Sequence, residues 1–198
     1  MAQSIHVVVA HYDENLDWAK NIKYPVIVIS RNGIPEGTMP NKGREASSYL
    51  EYIIQNYNSL PDYVVFVHGH RNSWHHKENI DETINTLNFK FNYCNINDSV
   101  PIRDINTFVG ERNHILDYIK YIESILNTKI NIDNYTYKLG AQFYVTRESI
   151  LSRSHKQYID LYDLIMKQHI SRSRSIAVLF ERLWHFIFTH ETTYTNQS

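Results

Sequence analysis

The sequence NKGREASSYLEYIIQNYNSLPDYVVFVHGHRNSWHH occupies residues 41–76, and this stretch decides the fold class. Its first half predicts an amphipathic helix, because apolar residues recur there at spacings of three and four. After a polar break at Pro61, the apolar run at 63–67 is typical of a strand buried on both faces. The strand ends abruptly at His68. Because ligands of open α/β sheets bind at the carboxyl ends of the strands, we expect chemistry at this end.

Two further buried strands precede this stretch, at 5–10 and 25–29, and each ends in polar residues. The first leads into a short helix, and the second into a loop rich in Gly and Pro. Strands that alternate with helices predict right-handed parallel crossovers that bring the carboxyl ends of the strands to one edge. We therefore predict an α/β fold: a single Rossmann-like domain whose mostly parallel sheet is flanked by helices.

The rest of the chain completes the same domain, which we assign to residues 1–190, with a polar and frayed tail at 191–198. Helices are predicted at 78–87, 111–127, 157–169 and 175–188, a strand at 139–145, and irregular surface at 88–107.

Composition restricts the class of partner. The 198 residues are 42% hydrophobic, which suits one domain with a sizeable core. A formal charge of −1 gives no reason to expect nucleic acid as a partner. The chain has one cysteine, Cys94, and no apolar run near the roughly 20 residues that span a bilayer. We therefore expect a cytoplasmic protein with no membrane span.

Histidines cluster where the third strand ends. His68 and His70 flank a glycine, and His75 or His76 returns to the same region, so three imidazoles can form a metal site for Mn, Zn or Fe. The alternative is a surface loop whose histidines make ordinary hydrogen bonds. No Asp-x-Asp pair stands here, which weakens the case for a hard cation.

A helix amino terminus with two cations makes a second candidate site. Lys42, Gly43 and Arg44 open the first long helix, where free backbone N–H groups favour an anion. Arg31, at the end of the second strand, can join them on a phosphate or a base. The alternative is an ordinary helix start with solvated cations.

Two carboxylates are candidate general bases. Glu181 lies four residues before His185 on the last helix, and Glu148 follows the strand at 139–145. A carboxylate beside His or Arg can act as a base. A surface ion pair at helical spacing explains the same pattern equally well.

The segments 7–18, 41–50, 60–70 and 140–145 resemble a family of uncharacterised domains found in fungi and large DNA viruses. That family is similar to the small GT-A glycosyltransferases of chloroviruses, which glycosylate capsid protein. The resemblance implies a GT-A-like domain and a nucleotide-sugar donor, most often a UDP-sugar, with Mn or Mg on its diphosphate. It implies that Ala10, His11 and Tyr12 lie by the base, that Arg31 and the 42–44 turn lie by the nucleotide, and that His68 to His70 replace Asp-x-Asp. Histidines in place of aspartates are a departure from that pattern.

We therefore predict a glycosyltransferase that moves a sugar from a nucleotide sugar to a hydroxyl of a glycan or glycoprotein, in the host cytoplasm if the protein is viral. Glu181, or else Glu148, would accept the acceptor proton if the reaction inverts. Two alternatives stay open: a metal-dependent hydrolase built on the histidines at 68–76, and a module that binds nucleotide or glycan without turnover.

Overall fold

The computed structural model describes residues 3–32, 41–74, 76–107, 112–169 and 172–195. The strands are β1 (Ile5–His11), β2 (Val26–Ser30), β3 (Tyr63–His68), β4 (Tyr93–Asn95), β5 (Ile102–Asp104), β6 (Thr136–Lys138) and β7 (Phe143–Thr146). The α-helices are α1 (Glu45–Asn56), α2 (Ile80–Thr86), α3 (Arg112–Leu126), α4 (Arg147–Leu151), α5 (His155–Met166) and α6 (Ser173–Thr189). Short 3₁₀ helices lie at Asp17–Asn21, Ile105–Thr107 and Ile132–Asn134.

Among the described residues, five strands form the central sheet in the order β2-β1-β3-β7-β4. Strand β1 is parallel to both β2 and β3, whereas β7 is antiparallel to β3 and to β4. Strands β5 and β6 form a separate antiparallel pair. The prediction of an α/β domain with a mostly parallel sheet is confirmed.

The apolar runs form central strands because both faces of the sheet are covered. Val8 and Phe66 face the larger core, to which α1, α3, α5 and α6 contribute. Val7 and Val67 face the smaller core, which contains Trp18 and residues of α2. Since successive side chains of a strand point to opposite faces, only a continuous apolar run satisfies both cores.

Three expectations differ from the structure. The predicted irregular segment 88–107 contains β4 and β5, and β4 is the edge strand of the central sheet. Three-residue strands are too short to produce a detectable alternation. The first predicted helix is a 3₁₀ turn at Asp17–Asn21. Tyr194, in the predicted tail, is buried, and its backbone N–H donates to Oγ1 of Thr136 at 2.9 Å.

No helix in the described ranges has both the length and the apolar character that a membrane crossing requires.

Candidate functional site

A cleft of about 380 Å³ opens at the carboxyl ends of β1 and β3. The chain passes from β1 to β2 on one side and then to β3 on the other, so the strand order reverses between β1 and β3. Such a switch point is the usual ligand site of an open α/β sheet. The cleft is lined by Ala10, His11, Tyr12, Asp13, Glu14, Arg31, Asn41, Arg44, Glu45, Ser48, His68 and His70.

The structure brings seven sequence-predicted site residues to this cleft. They are Ala10, His11, Tyr12, Arg31, Arg44, His68 and His70. Lys42, Gly43, Glu148 and Glu181 do not line it, and His75 lies outside the described residues.

His11 is held firmly at the end of β1. Its Nδ1 lies 3.1 Å from Oγ of Ser30, and its Nε2 lies 3.2 Å from the backbone carbonyl of Glu14. Both ring nitrogens are therefore engaged, and the imidazole forms a fixed wall of the cleft. An imidazole with both nitrogens engaged is better suited to contact a ligand than to transfer a proton.

Arg31 is buried, and its guanidinium is already engaged. Its Nε donates to Oγ of Ser47 at 3.2 Å, and its Nη2 forms an ion pair with Glu51 of α1. The charge of Arg31 is thus largely matched within the protein. Its main effect is to fix α1 against the end of β2.

Lys42 and Gly43 anchor the turn before α1 to helix α5. The ammonium group of Lys42 donates to the backbone carbonyl of Met166 at 2.9 Å. Gly43 has φ +69°, and a Cβ there would overlap Cγ2 of Ile165. Both residues therefore position Arg44 and do not themselves reach the cleft.

Arg44 has an unusual backbone for a residue with a side chain, with φ 50° and ψ −131°. Such conformations cost about 1–3 kcal/mol and cluster at functional sites. Its side chain lines the cleft and forms no ion pair with any residue that the structure describes. Arg44 is therefore a cation that the cleft presents to a ligand.

At the end of β3, Glu14 fixes the turn that holds His68 and His70. Its Oε2 accepts the backbone N–H of Tyr12 at 2.7 Å, and its Oε1 lies 3.5 Å from Nε2 of His70. A Cβ on Gly69 would meet the Glu14 carboxylate at 2.6 Å, so only glycine permits this approach. The backbone N–H of His68 donates to Oε1 of Gln142 at 3.2 Å.

The described residues of this turn do not supply a complete set of metal ligands. Across the described residues, no group of three or more His, Cys, Asp or Glu side chains is placed to hold a metal ion. One carboxylate oxygen of Glu14 accepts the backbone N–H of Tyr12. The other oxygen lies 3.5 Å from Nε2 of His70, so these two atoms form one pair of potential metal ligands. The third predicted ligand, His75, lies outside the described residues.

Glu45, the first residue of α1, is a carboxyl group that the sequence analysis missed. It lines the cleft, and burial, with a further contribution from the charge of Glu181, raises its pKa to about 7. Acidic residues are common in the first turn of helices because of the helix dipole, so nothing in the local sequence marked Glu45 as special. A carboxyl group with this pKa is suited to accept a proton near neutral pH.

The two predicted catalytic carboxylates lie elsewhere. Glu181 is on α6, close enough to Glu45 to raise the pKa of that residue, and its Oε1 accepts the backbone N–H of Gly140 at 2.6 Å. Glu148 is exposed at the opposite edge of the sheet. Because β7 runs antiparallel to β3, its last residue, Thr146, pairs with Tyr63 at the beginning of β3.

A family model matches residues 7–198, which is nearly the whole chain. The chain belongs to the family DUF3431. The family is described as "Protein of unknown function". No curated protein and no solved structure matches the chain.

In this DUF3431 domain, the cleft combines three kinds of group along α1 and the strand ends. Arg44 supplies a positive charge, Glu45 a carboxyl group with a raised pKa, and His11 and Tyr12 a partly aromatic wall. A cation next to a potential base can neutralise a leaving anion while a proton is removed nearby. The arrangement suits transfer of a group from an anionic leaving group.

Proposed function

We propose that this DUF3431 protein is a glycosyltransferase that transfers a sugar from a nucleotide-sugar donor, such as a UDP-sugar, to a hydroxyl of a glycan or glycoprotein. The observation that carries the proposal is the cleft at the switch point, where Arg44 and Glu45 stand side by side. The resemblance to a family of uncharacterised domains that is similar to small GT-A glycosyltransferases supports the same assignment.

In this proposal, Glu45 is the base. As the acceptor oxygen bonds to the anomeric carbon of the sugar, its proton passes to the Glu45 carboxylate. The bond between that carbon and the donor phosphate breaks, and its electron pair leaves with the nucleoside diphosphate. Arg44 stabilises the negative charge that develops on this leaving group.

The Mn or Mg ion that the resemblance implies would supply positive charge at the donor diphosphate. No group of three or more potential ligands is found among the described residues, so each of these steps is assigned to side chains of the chain.

The first test measures donor binding. Thermal melting is recorded with UDP, GDP, CMP and ADP, each with and without Mn. A ligand that binds only the folded state at a hundredfold excess over Kd stabilises it by about 2.7 kcal/mol. We expect UDP to raise Tm. If no nucleotide raises Tm, the proposed donor site is wrong.

The second test measures turnover as UDP release from UDP-sugars with mixed glycan acceptors. Glu45→Gln keeps the shape of the side chain but removes the base, so we expect it to retain UDP binding and to lose at least a hundredfold in kcat. The matched control is Asp133→Asn, an exposed carboxylate remote from the cleft. Binding of UDP without turnover in the wild type would favour the non-catalytic module.

A further inference from the structure

Ser48 has a hydroxyl group that the protein leaves without a hydrogen bond. Ser48 is fully buried and lines the cleft, yet its Oγ has no hydrogen-bond partner among the described residues. The adjacent Ser47 is equally buried, but its hydroxyl donates to the carbonyl of Arg44 at 2.9 Å and accepts from Arg31. Buried polar groups are nearly always hydrogen-bonded, so the Ser48 hydroxyl is available to a ligand that binds in the cleft.

The position of Ser48 indicates that this ligand is an anion. Ser48 lies one turn into α1, a twelve-residue helix whose N-cap residue, Arg44, makes no capping hydrogen bond with its side chain. The amino end of a helix attracts anions through free N–H groups and the helix dipole. At about 100° per residue, Ser48 lies between Arg44 and Glu45 around the helix axis.

The two other cations near this turn are engaged elsewhere. Arg31 is paired with Glu51, and Lys42 donates to the Met166 carbonyl. An anion in the cleft therefore has Arg44 as its nearest available cation, with the Ser48 hydroxyl beside it.

We propose that Ser48 and Arg44 form the subsite that binds the diphosphate of the donor, at the amino end of α1. The inference rests on the proposed function, because it names where the donor's leaving group lies. Around the helix, Glu45 lies on the other side of Ser48 from Arg44, so the sugar of the donor would lie toward Glu45. Ser48 is a binding residue here, and its hydroxyl donates to a phosphate oxygen.

The test is calorimetric titration of the full chain with inorganic diphosphate, UDP and uridine. We expect Ser48→Ala to weaken the binding of diphosphate and of UDP about tenfold, since hydrogen bonds to charged groups are worth roughly that much. Binding of uridine should stay unchanged. Because Ser48→Ala removes a hydroxyl that has no partner, Tm should not fall.

Ser47→Ala is the matched control on the same helix. It removes a hydroxyl that makes hydrogen bonds within the protein, so we expect Tm to fall while the Kd for diphosphate stays within about twofold. This opposite pattern separates a ligand contact from a structural contact.

Two results overturn the subsite: a wild-type protein that does not bind diphosphate, or a Ser48→Ala variant that binds diphosphate as tightly as the wild type. Diphosphate binding that depends on Ser48, without turnover of any nucleotide sugar, supports the subsite and contradicts the proposed function. The two proposals therefore fail by different measurements.

Discussion

The carboxylate of Glu181 accepts a hydrogen bond from the backbone N–H of Gly140 at 2.6 Å, and it lies close enough to Glu45 to raise the pKa of Glu45. Burial is the larger cause of that shift, and the negative charge of Glu181 adds to it. Glu181, which the sequence analysis predicted as the base, thus raises the pKa of Glu45, the base in our proposal, through its negative charge.

Glu181→Gln should shift the pH dependence of turnover. The variant can still accept the Gly140 N–H but carries no charge, so the pKa of Glu45 should fall from about 7 toward its ordinary value. Because Glu45 must be ionised to act as a base, kcat should reach its plateau at a lower pH than in the wild type. The pH profile of UDP release measures this shift. If the acidic side of the pH profile were the same in Glu181→Gln and in the wild type, ionisation of Glu45 would not control turnover.

Glu45→Gln should stabilise the protein, but only at higher pH. At pH values below the ordinary pKa of 4.5, the carboxyl is neutral in both the folded and the unfolded state. Between that value and about 7 the unfolded chain ionises first, so wild-type stability falls as the pH rises. At roughly 1.4 kcal/mol for each pKa unit, the rise from 4.5 to about 7 corresponds to a loss of about 3.5 kcal/mol.

Urea unfolding at pH 4 and pH 8 measures this effect. The stability of Glu45→Gln relative to the wild type should increase between the two values, whereas that of Asp133→Asn should not. An equal difference at both pH values would mean that Glu45 is ionised freely in the folded protein.

Tyr194→Ala should destabilise the protein although it lies near the end of the chain. The ring is buried and packs edge-on against His185, with their centroids 5.5 Å apart. Loss of a buried aromatic ring costs roughly 3 kcal/mol. Tyr121→Ala is the control, because 61% of Tyr121 is exposed and its loss should change little. Urea unfolding should show a clear loss only for Tyr194→Ala, whereas a frayed tail would give no loss in either variant.

The position of the cleft at the carboxyl ends of the strands could be predicted, because the strands are recognisable from local sequence patterns. Strands predicted at 5–10, 25–29 and 63–67 are found at Ile5–His11, Val26–Ser30 and Tyr63–His68. Parallel strands buried on both faces are continuous apolar runs, and such runs are recognisable without any knowledge of their partners. Polar residues that end those runs then fall at one edge.

The details of the site depend on contacts between distant parts of the chain, and these could not be predicted. Lys42 is a cation at a helix start in the sequence, but its partner is a carbonyl 124 residues away. The direction of β7 decides that Glu148 lies at the far edge, and no local pattern encodes that direction. Ser48 resembles an ordinary helix residue until its neighbours are known.

Arg44→Gly should weaken diphosphate binding without lowering the stability of the protein. Glycine adopts positive φ without steric cost, so relief of the strained backbone should raise the free energy of unfolding by about 1 kcal/mol or leave it unchanged. Removal of the guanidinium should weaken diphosphate binding at least tenfold, because the cleft loses its one cation without an ion pair in the described residues.

Asn127→Gly is the control for this variant. Asn127 also has a positive φ, 51°, but it follows α3 and lies outside the cleft. It should change stability little and leave diphosphate affinity unchanged. If Arg44→Gly binds diphosphate like the wild type, the strain at Arg44 has no role in binding the anion, and the positive charge of the cleft must come from another residue.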